Sequence, residues 1–318
     1  MNRWLLLLVA ALYVLSLAVG PVLWPWRLGS EIGWSIVCEL RLPRASLGLL
    51  IGGALGLSGA VLQGWLRNPL AEPGVIGVSA SASFAAVCAF YSGLAAAFAL
   101  ALPLAGVAGA AIAVTLLMAA VRAGTGTVSL LLMGVAINAI AAALISLVLA
   151  TSPNPFAYQE ISLWLAGSIA DRDLRYLAIS APFMIAGAVI VLGGGRWLDT
   201  LSLGEETARS LGADVARLGL RFTLGVGLMV GAATAVAGVI GFVGLVAPHL
   251  VRAKVGFKPG ATLLPSMLAG AALVLTADIL VRLLPTAFEL QLGVLTSLVG
   301  APFLVRVIRR SRAAWLAT

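Results

Sequence analysis

Arg41 and Arg44, in the run Arg41-Leu42-Pro43-Arg44, are two cations lying between the first two long apolar stretches of a 318-residue chain. The first stretch follows the short basic start Asn2-Arg3, and a basic start stays on the cytoplasmic side of a membrane. Arg41 and Arg44 then emerge outside, where basic residues run against the bias that orients membrane proteins. That placement fits a charged partner on the outer face. Other groups able to do chemistry are few. His249 is the only histidine, which leaves no histidine metal site and no histidine pair for general-base work. It reads as a structural polar residue at the inner interface. Within the apolar stretches stand Gln63, Asn138, Asp278 and some hydroxyls. Asp278 precedes Arg282 by four residues, the spacing of an ion pair on one helix face. The two lysines, Lys254 and Lys258, end no G-x-x-x-x-G-K-[ST] loop, so the chain has no phosphate cradle of its own. ATP, if it drives this protein, is bound by another chain.

The elements that must position these groups follow from composition. Apolar residues make up 61% and charged residues 10%, and the mean hydropathy is +1.10. A soluble domain carries about 25% charge. Runs of about 20 apolar residues recur along the chain, each long enough to cross ~30 Å of hydrocarbon as a helix, whereas barrel strands would be shorter and would alternate. The fold class is therefore all-α, a polytopic membrane protein. Ten spans are expected, at about 4–23, 46–66, 75–91, 94–121, 128–150, 173–193, 219–240, 242–254, 262–284 and 291–308. An even count returns both termini to the cytoplasm. Of the 20 basic residues only Arg27, Arg41, Arg44, Arg172, Arg175 and Arg282 then fall outside, a split that agrees with this orientation. The net charge of +8 belongs to span ends and implies no nucleic-acid partner. Cys38 and Cys88 match no metal-ligand spacing, and no disulfide is expected. The first stretch is long and has no A-x-A-like site, so an uncleaved first helix is expected.

Three segments break this apolar pattern. Gly48, Gly52, Gly56, Ala60 and Gly64 recur every four residues, a nearly bare face on which another helix backbone can lie. Asn68-Pro69 through Gly74 reads as a rigid inner turn. The one long inner loop, from Arg196 to Arg221, carries Ser202-Leu203-Gly204-Glu205, which reads as a capping box for a short helix ending near Leu211 with Gly212 as its stop. Asp214 would cap a second short helix leading into the seventh span. Two polar helices at the inner surface suggest a docking element for a cytoplasmic partner.

Taken together, these residues resemble the FecCD-type permeases, the membrane subunits of ATP-binding-cassette (ABC) importers for iron-siderophores, haem and cobalamin. The resemblance is carried by Arg41-Leu42-Pro43-Arg44, Gly59 to Gln63, Asn68 to Gly77, Leu203-Gly204-Glu205 with Ala208 and Leu211-Gly212, and Gly241 to Pro248-His249 with Arg252. It continues through Ala277-Asp278 with Arg282, Glu289-Leu290 with Gly293, and Gly300 to Phe303. One departure is Gln291, where a proline commonly follows the Glu-Leu pair by this point. The resemblance implies the type II ABC importer permease fold as a single transmembrane domain over 1–318, with coupling helices at about 203–218. It implies a bacterial inner-membrane location and two copies of the chain, or the chain with a close paralogue. It also implies two cytoplasmic ATPase subunits that hold ATP and Mg, and a periplasmic or lipid-anchored binding protein. Arg41, Arg44 and Arg282 would meet glutamates of that binding protein. Ser202, Leu203, Gly204, Glu205, Ala208, Arg209, Leu211 and Gly212 would couple to the ATPase. Gly124, Thr125, Gly126 and Thr127 would form an inner gate, and Asn138 would line the pathway. Asn68, Pro69, Pro248, His249 and Arg252 are the inner-face motifs. A gradient-driven transporter would need buried acidic or broken-helix ion sites, which this chain does not display. A membrane enzyme would need more than one histidine or a carboxylate pair in a span.

Overall fold

Helix follows helix throughout the computed structural model, which describes residues 1–20, 30–98, 100–123, 126–151, 155–284 and 290–316. The elements are α1 (Asn2–Ala18), α2 (Ser30–Ser35), a π-helical turn (Ile36–Arg41), α3 (Leu42–Trp65), α4 (Val78–Tyr91), α5 (Leu94–Ala97), α6 (Ala101–Arg122) and α7 (Thr127–Ala150). They continue with α8 (Pro155–Leu165), α9 (Leu174–Leu192), α10 (Gly195–Leu201), α11 (Glu205–Ser210), α12 (Val215–Ala237), α13 (Val243–Arg252), α14 (Pro259–Leu283) and α15 (Leu292–Leu316). Short 3₁₀ turns cover Pro73–Ile76 and Ala253–Val255. A principal helix stands at each of the ten expected spans. Among the described residues six helices are long and apolar enough to cross a bilayer by length and composition. Of the rest, α13 has ten residues, about 15 Å, half a crossing.

Local chemistry explains where the boundaries depart from expectation. The second span belongs to one continuous helix, Glu31–Trp65. At about 1.5 Å per residue its 35 residues far exceed the hydrocarbon thickness, so its start stands clear of the apolar layer. The π turn falls just before Pro43, whose ring would strike the carbonyl four residues earlier in a regular helix. The fourth span begins at Ala101 rather than 94, with Pro103 seated in the first turn, where its missing N–H costs nothing. Asp173 caps α9, its carboxylate accepting the N–H groups of Arg175 at 2.9 Å and Tyr176 at 3.3 Å.

The core forms around α3 and α12. α3 lies most extensively against α14 and also meets α13, α12 and α9. α12 packs on α6 and α9, and α4 bridges α6 and α7. The expected small-residue face of α3 is where α14 approaches. A Cβ on Gly52 would collide with the Gly270 carbonyl, and one on Gly56 with the Ser266 carbonyl. Backbones this close gain dispersion contacts that larger side chains would prevent, which is how helices associate in lipid. α7 contrasts sharply: only 17% of its most apolar stretch is buried. Val128, Leu132, Val135, Ile140 and Leu147 of α7 all face outward.

Candidate functional site: two polar ends of the bundle

The basic residues at one end of the bundle turn inward. α1 stops at Ala18, leaving its last carbonyls without helical partners. Arg41 donates to Leu17 O at 2.9 Å and Ala18 O at 2.7 Å. Arg282 donates to Ser16 O at 2.9 Å, Val19 O at 2.7 Å and Ser16 Oγ at 2.6 Å. Two guanidinium groups therefore close the negative end of the α1 dipole, the charge sign that end favours. Between them lies Asp278, 1% exposed, paired with Arg44 at 2.8 Å and with Arg282 at 2.8 Å. The ion pair expected within α14 is present, and Arg44 of α3 joins it. Arg41, Arg44 and Arg282 all line a cavity of about 490 Å³, whose wall also carries Glu39, Asp171, Arg172 and Asp173. In this conformation the guanidinium groups hold the fold together and do not project from it.

The opposite end gathers the loops. Asn68 Oδ1 accepts the Leu70 N–H at 2.9 Å and its carbonyl accepts Ala71 N–H at 3.1 Å, so the Asn68-Pro69 segment is a tight turn, as expected. Glu72 follows, and its carboxylate accepts the Phe242 N–H at 3.0 Å. Phe242 sits at φ +66°, a left-handed conformation that costs free energy for a bulky residue and persists because neighbours hold it. Burial pushes the Glu72 carboxyl above its usual range, opposed by that hydrogen bond. Pro248 is buried in α13. His249 Nδ1 lies 2.9 Å from Leu245 O, and its ring meets Phe303 edge-on at 6.3 Å. Arg252 donates to Gln63 Oε1 at 2.6 Å, tying α13 to α3.

Between α9 and α12 the chain forms α10 and α11. Two expectations change here. Ser202 is not the first residue of a capping box: it terminates α10, and its hydroxyl donates to Asp199 O at 2.6 Å. A serine still in helical conformation folds its hydroxyl onto a preceding carbonyl rather than onto the next helix. Gly204, at φ +107°, precedes α11 without a side-chain cap, and Glu205 pairs instead with Arg209 at 3.3 Å. The second short helix is not separate either. Asp214 does cap, accepting Arg217 N–H at 2.9 Å, but the helix it opens is the whole of α12. The Gly212 stop holds: Gly212 at φ +88° donates to Arg209 O and Ala213 to Ala208 O, the paired bonds of a Schellman ending. Ala208 is buried, whereas Leu203 and Leu211 are exposed at 63% and 59%.

Sequence reasoning missed α10. Its Leu198 and Leu201 are buried, and Asp199 Oδ1 accepts the Gly260 N–H at 2.8 Å, at the start of α14. Nothing in sequence spacing signals a bond across 61 residues. It likewise missed Glu72 with Phe242, although an acid between two prolines near a predicted turn was a cue. Gly124 and Thr125 lie outside the described residues. Gly126 precedes α7, Thr127 opens it, and Asn138 is half-buried on it. Among the described residues no group of three or more His, Cys, Asp or Glu side chains could hold a metal ion.

A helical bundle with glycine-packed apolar helices and its charged groups gathered toward two ends defines a multi-pass membrane protein. The FecCD transport family matches residues 6–310, and the chain belongs to that family. It is 39% identical to the ferric enterobactin transport system permease protein FepD of Escherichia coli (strain K12), over 96% of this chain and 94% of that one. It is 35% identical to the hemin transport system permease protein HmuU of Yersinia pestis, over 88% and 84%. It is 38% identical to the vitamin B12 import system permease protein BtuC of Vibrio cholerae serotype O1 (strain ATCC 39315 / El Tor Inaba N16961), over 94% and 90%. A solved structure described as an inward-facing conformation of an ABC transporter of metal-chelate type superposes with a TM-score of 0.85 at 30% identity, covering 97% of this chain and 98% of the other.

Proposed function

We propose that this chain is the membrane-spanning subunit of an ABC importer that carries a bulky metal chelate, an iron-siderophore, haem or cobalamin, into the cytoplasm. Family membership over residues 6–310 is the observation that carries this reading. ATP and Mg are bound by two ATPase subunits on separate chains, since this chain lacks a phosphate-binding loop. The exposed leucines flanking α11, Leu203 and Leu211, give those subunits an apolar foothold, and the buried Ala208 and the Asp199–Gly260 bond tie that foothold to the bundle. The outward apolar face of α7 suits a second copy of the chain or a close paralogue, with Asn138 near the shared pathway. Both termini lie in the cytoplasm, and the Arg41 end faces outward.

The binding protein docks over the cavity bounded by Arg41, Arg44 and Arg282. Because those arginines are already bonded to α1 and Asp278, an incoming carboxylate must exchange with helix-end carbonyls. Docking is then linked to the position of α1. The cargo pathway needs no tight site of its own, and selectivity rests with the binding protein. The experiment is reconstitution with the ATPase and binding protein in vesicles, followed by uptake of the chelate. Uptake that requires ATP and both partners is expected. Uptake driven by an ion gradient with the ATPase absent would overturn this reading.

A further inference from the structure

A second, larger cavity of about 720 Å³ runs between α1, α13, α14 and α15, lined by none of the arginines of the first cavity and by no residue of α11. Its floor is a trench of small residues, Ala269, Ala272 and Ala277, walled by Leu5, Val246 and Leu295. Among the described residues Lys254 is the one charged side chain lining it, and Met1 lines it too. Trp4 and Leu250, both exposed, border the same cavity as Lys254, and tryptophan and lysine are the residues that collect at the headgroup level of a bilayer. In a multi-pass membrane protein such a groove is open to hydrocarbon, and acyl chains fill it. The position of Lys254 adds charge selection, because basic residues at the cytoplasmic membrane surface attract anionic headgroups.

We infer that this groove holds one acyl chain of an anionic phospholipid, with the lipid phosphate against the Lys254 ammonium. A protein segment would have to bring its own carboxylate to that depth, whereas a lipid phosphate resides there already. The site is independent of the cargo and of the ATPase, and it rests on the orientation proposed above, which puts Lys254 at the cytoplasmic surface.

Native mass spectrometry of the full chain in its complex, extracted in mild detergent and given equal phosphatidylglycerol and phosphatidylcholine, tests the site. One bound phosphatidylglycerol per chain is expected, preferred roughly fivefold, the ratio one basic residue near the headgroups confers. Lys254→Gln should bring the preference close to one. Lys258→Gln, which removes the same charge outside the groove, should leave it unchanged. Thr276→Trp, at an exposed wall position, should fill the groove and release the bound lipid without disturbing the fold. Equal effects of Lys254→Gln and Lys258→Gln, or a lipid retained in Thr276→Trp, would overturn the inference.

Discussion

Arg44 and Asp278, 234 residues apart in sequence, meet in an ion pair of 2.8 Å, with Asp278 almost wholly enclosed. Asp278 also holds Arg282, so one carboxylate restrains two cations from two helices. Breaking such a buried pair from one side costs about 3–5 kcal/mol, because the charge left behind has no water. Asp278→Leu removes the carboxylate from both arginines at once, although Arg282 keeps its bonds to the end of α1, whereas Arg44→Met leaves Asp278 with Arg282. The first should therefore lower the thermal midpoint of the purified protein further than the second. Equal shifts would show that Arg44 alone carries the interaction.

Charge reversal at Arg41 or Arg44 should weaken binding-protein docking and flatten its dependence on salt. The structure adds a control to that test. Arg41 caps α1 and Arg44 neutralises Asp278, so each variant needs a thermal midpoint beside its affinity. A loss of docking at preserved stability supports the docking role, and unchanged docking would remove it.

Glycines of the α3 face should differ in tolerance. Gly52→Ala drives a methyl into the Gly270 backbone, which cannot yield, and should cost at least the 1–3 kcal/mol typical of overpacking. Gly48→Ala meets only side-chain methyls, Leu275 Cδ2 at 3.3 Å and Ile169 Cδ1 at 3.4 Å, and should cost less. Detergent melts of the two variants compare them directly.

The Glu205–Arg209 pair is on the surface and contributes at most about 1 kcal/mol. Glu205→Ala, and separately Leu203→Glu, should leave the chain folded while cutting ATP-driven uptake roughly tenfold or more. Normal uptake in Leu203→Glu would remove the ATPase-facing assignment of α11.

Glu72 sets a pH dependence. Its folded carboxyl titrates above the unfolded one, so the folded state binds the proton more tightly. Its contribution is fully present below the unfolded pKa and is lost as pH rises through the folded value. Glu72→Gln retains an oxygen to accept the Phe242 N–H and carries no charge. The variant should show a flatter thermal midpoint between acid and neutral pH and should gain relative to the parent at the neutral end.

The helical membrane class and the ten principal helices were legible in the sequence because lipid imposes one rule, apolar runs of spanning length with the backbone satisfied internally. The bare face of α3, the Gly212 ending and the Asp214 cap were legible too, since each depends on neighbours within a few residues. The false capping box at Ser202 shows the limit of that local logic: whether Ser202 starts one helix or finishes another was decided by α10, whose leucines are buried by the rest of the bundle. The charge bias of the loops and the family resemblance put Arg41, Arg44 and Arg282 on one surface. Only the folded chain turned them inward, because unpartnered carbonyls at the end of α1 and the buried carboxylate of Asp278 attract a guanidinium more strongly than open solvent does. Apart from Asp278 and Arg282, whose pairing the four-residue spacing does signal, those partners lie 23 to 266 residues apart along the chain, a distance over which no periodicity carries information.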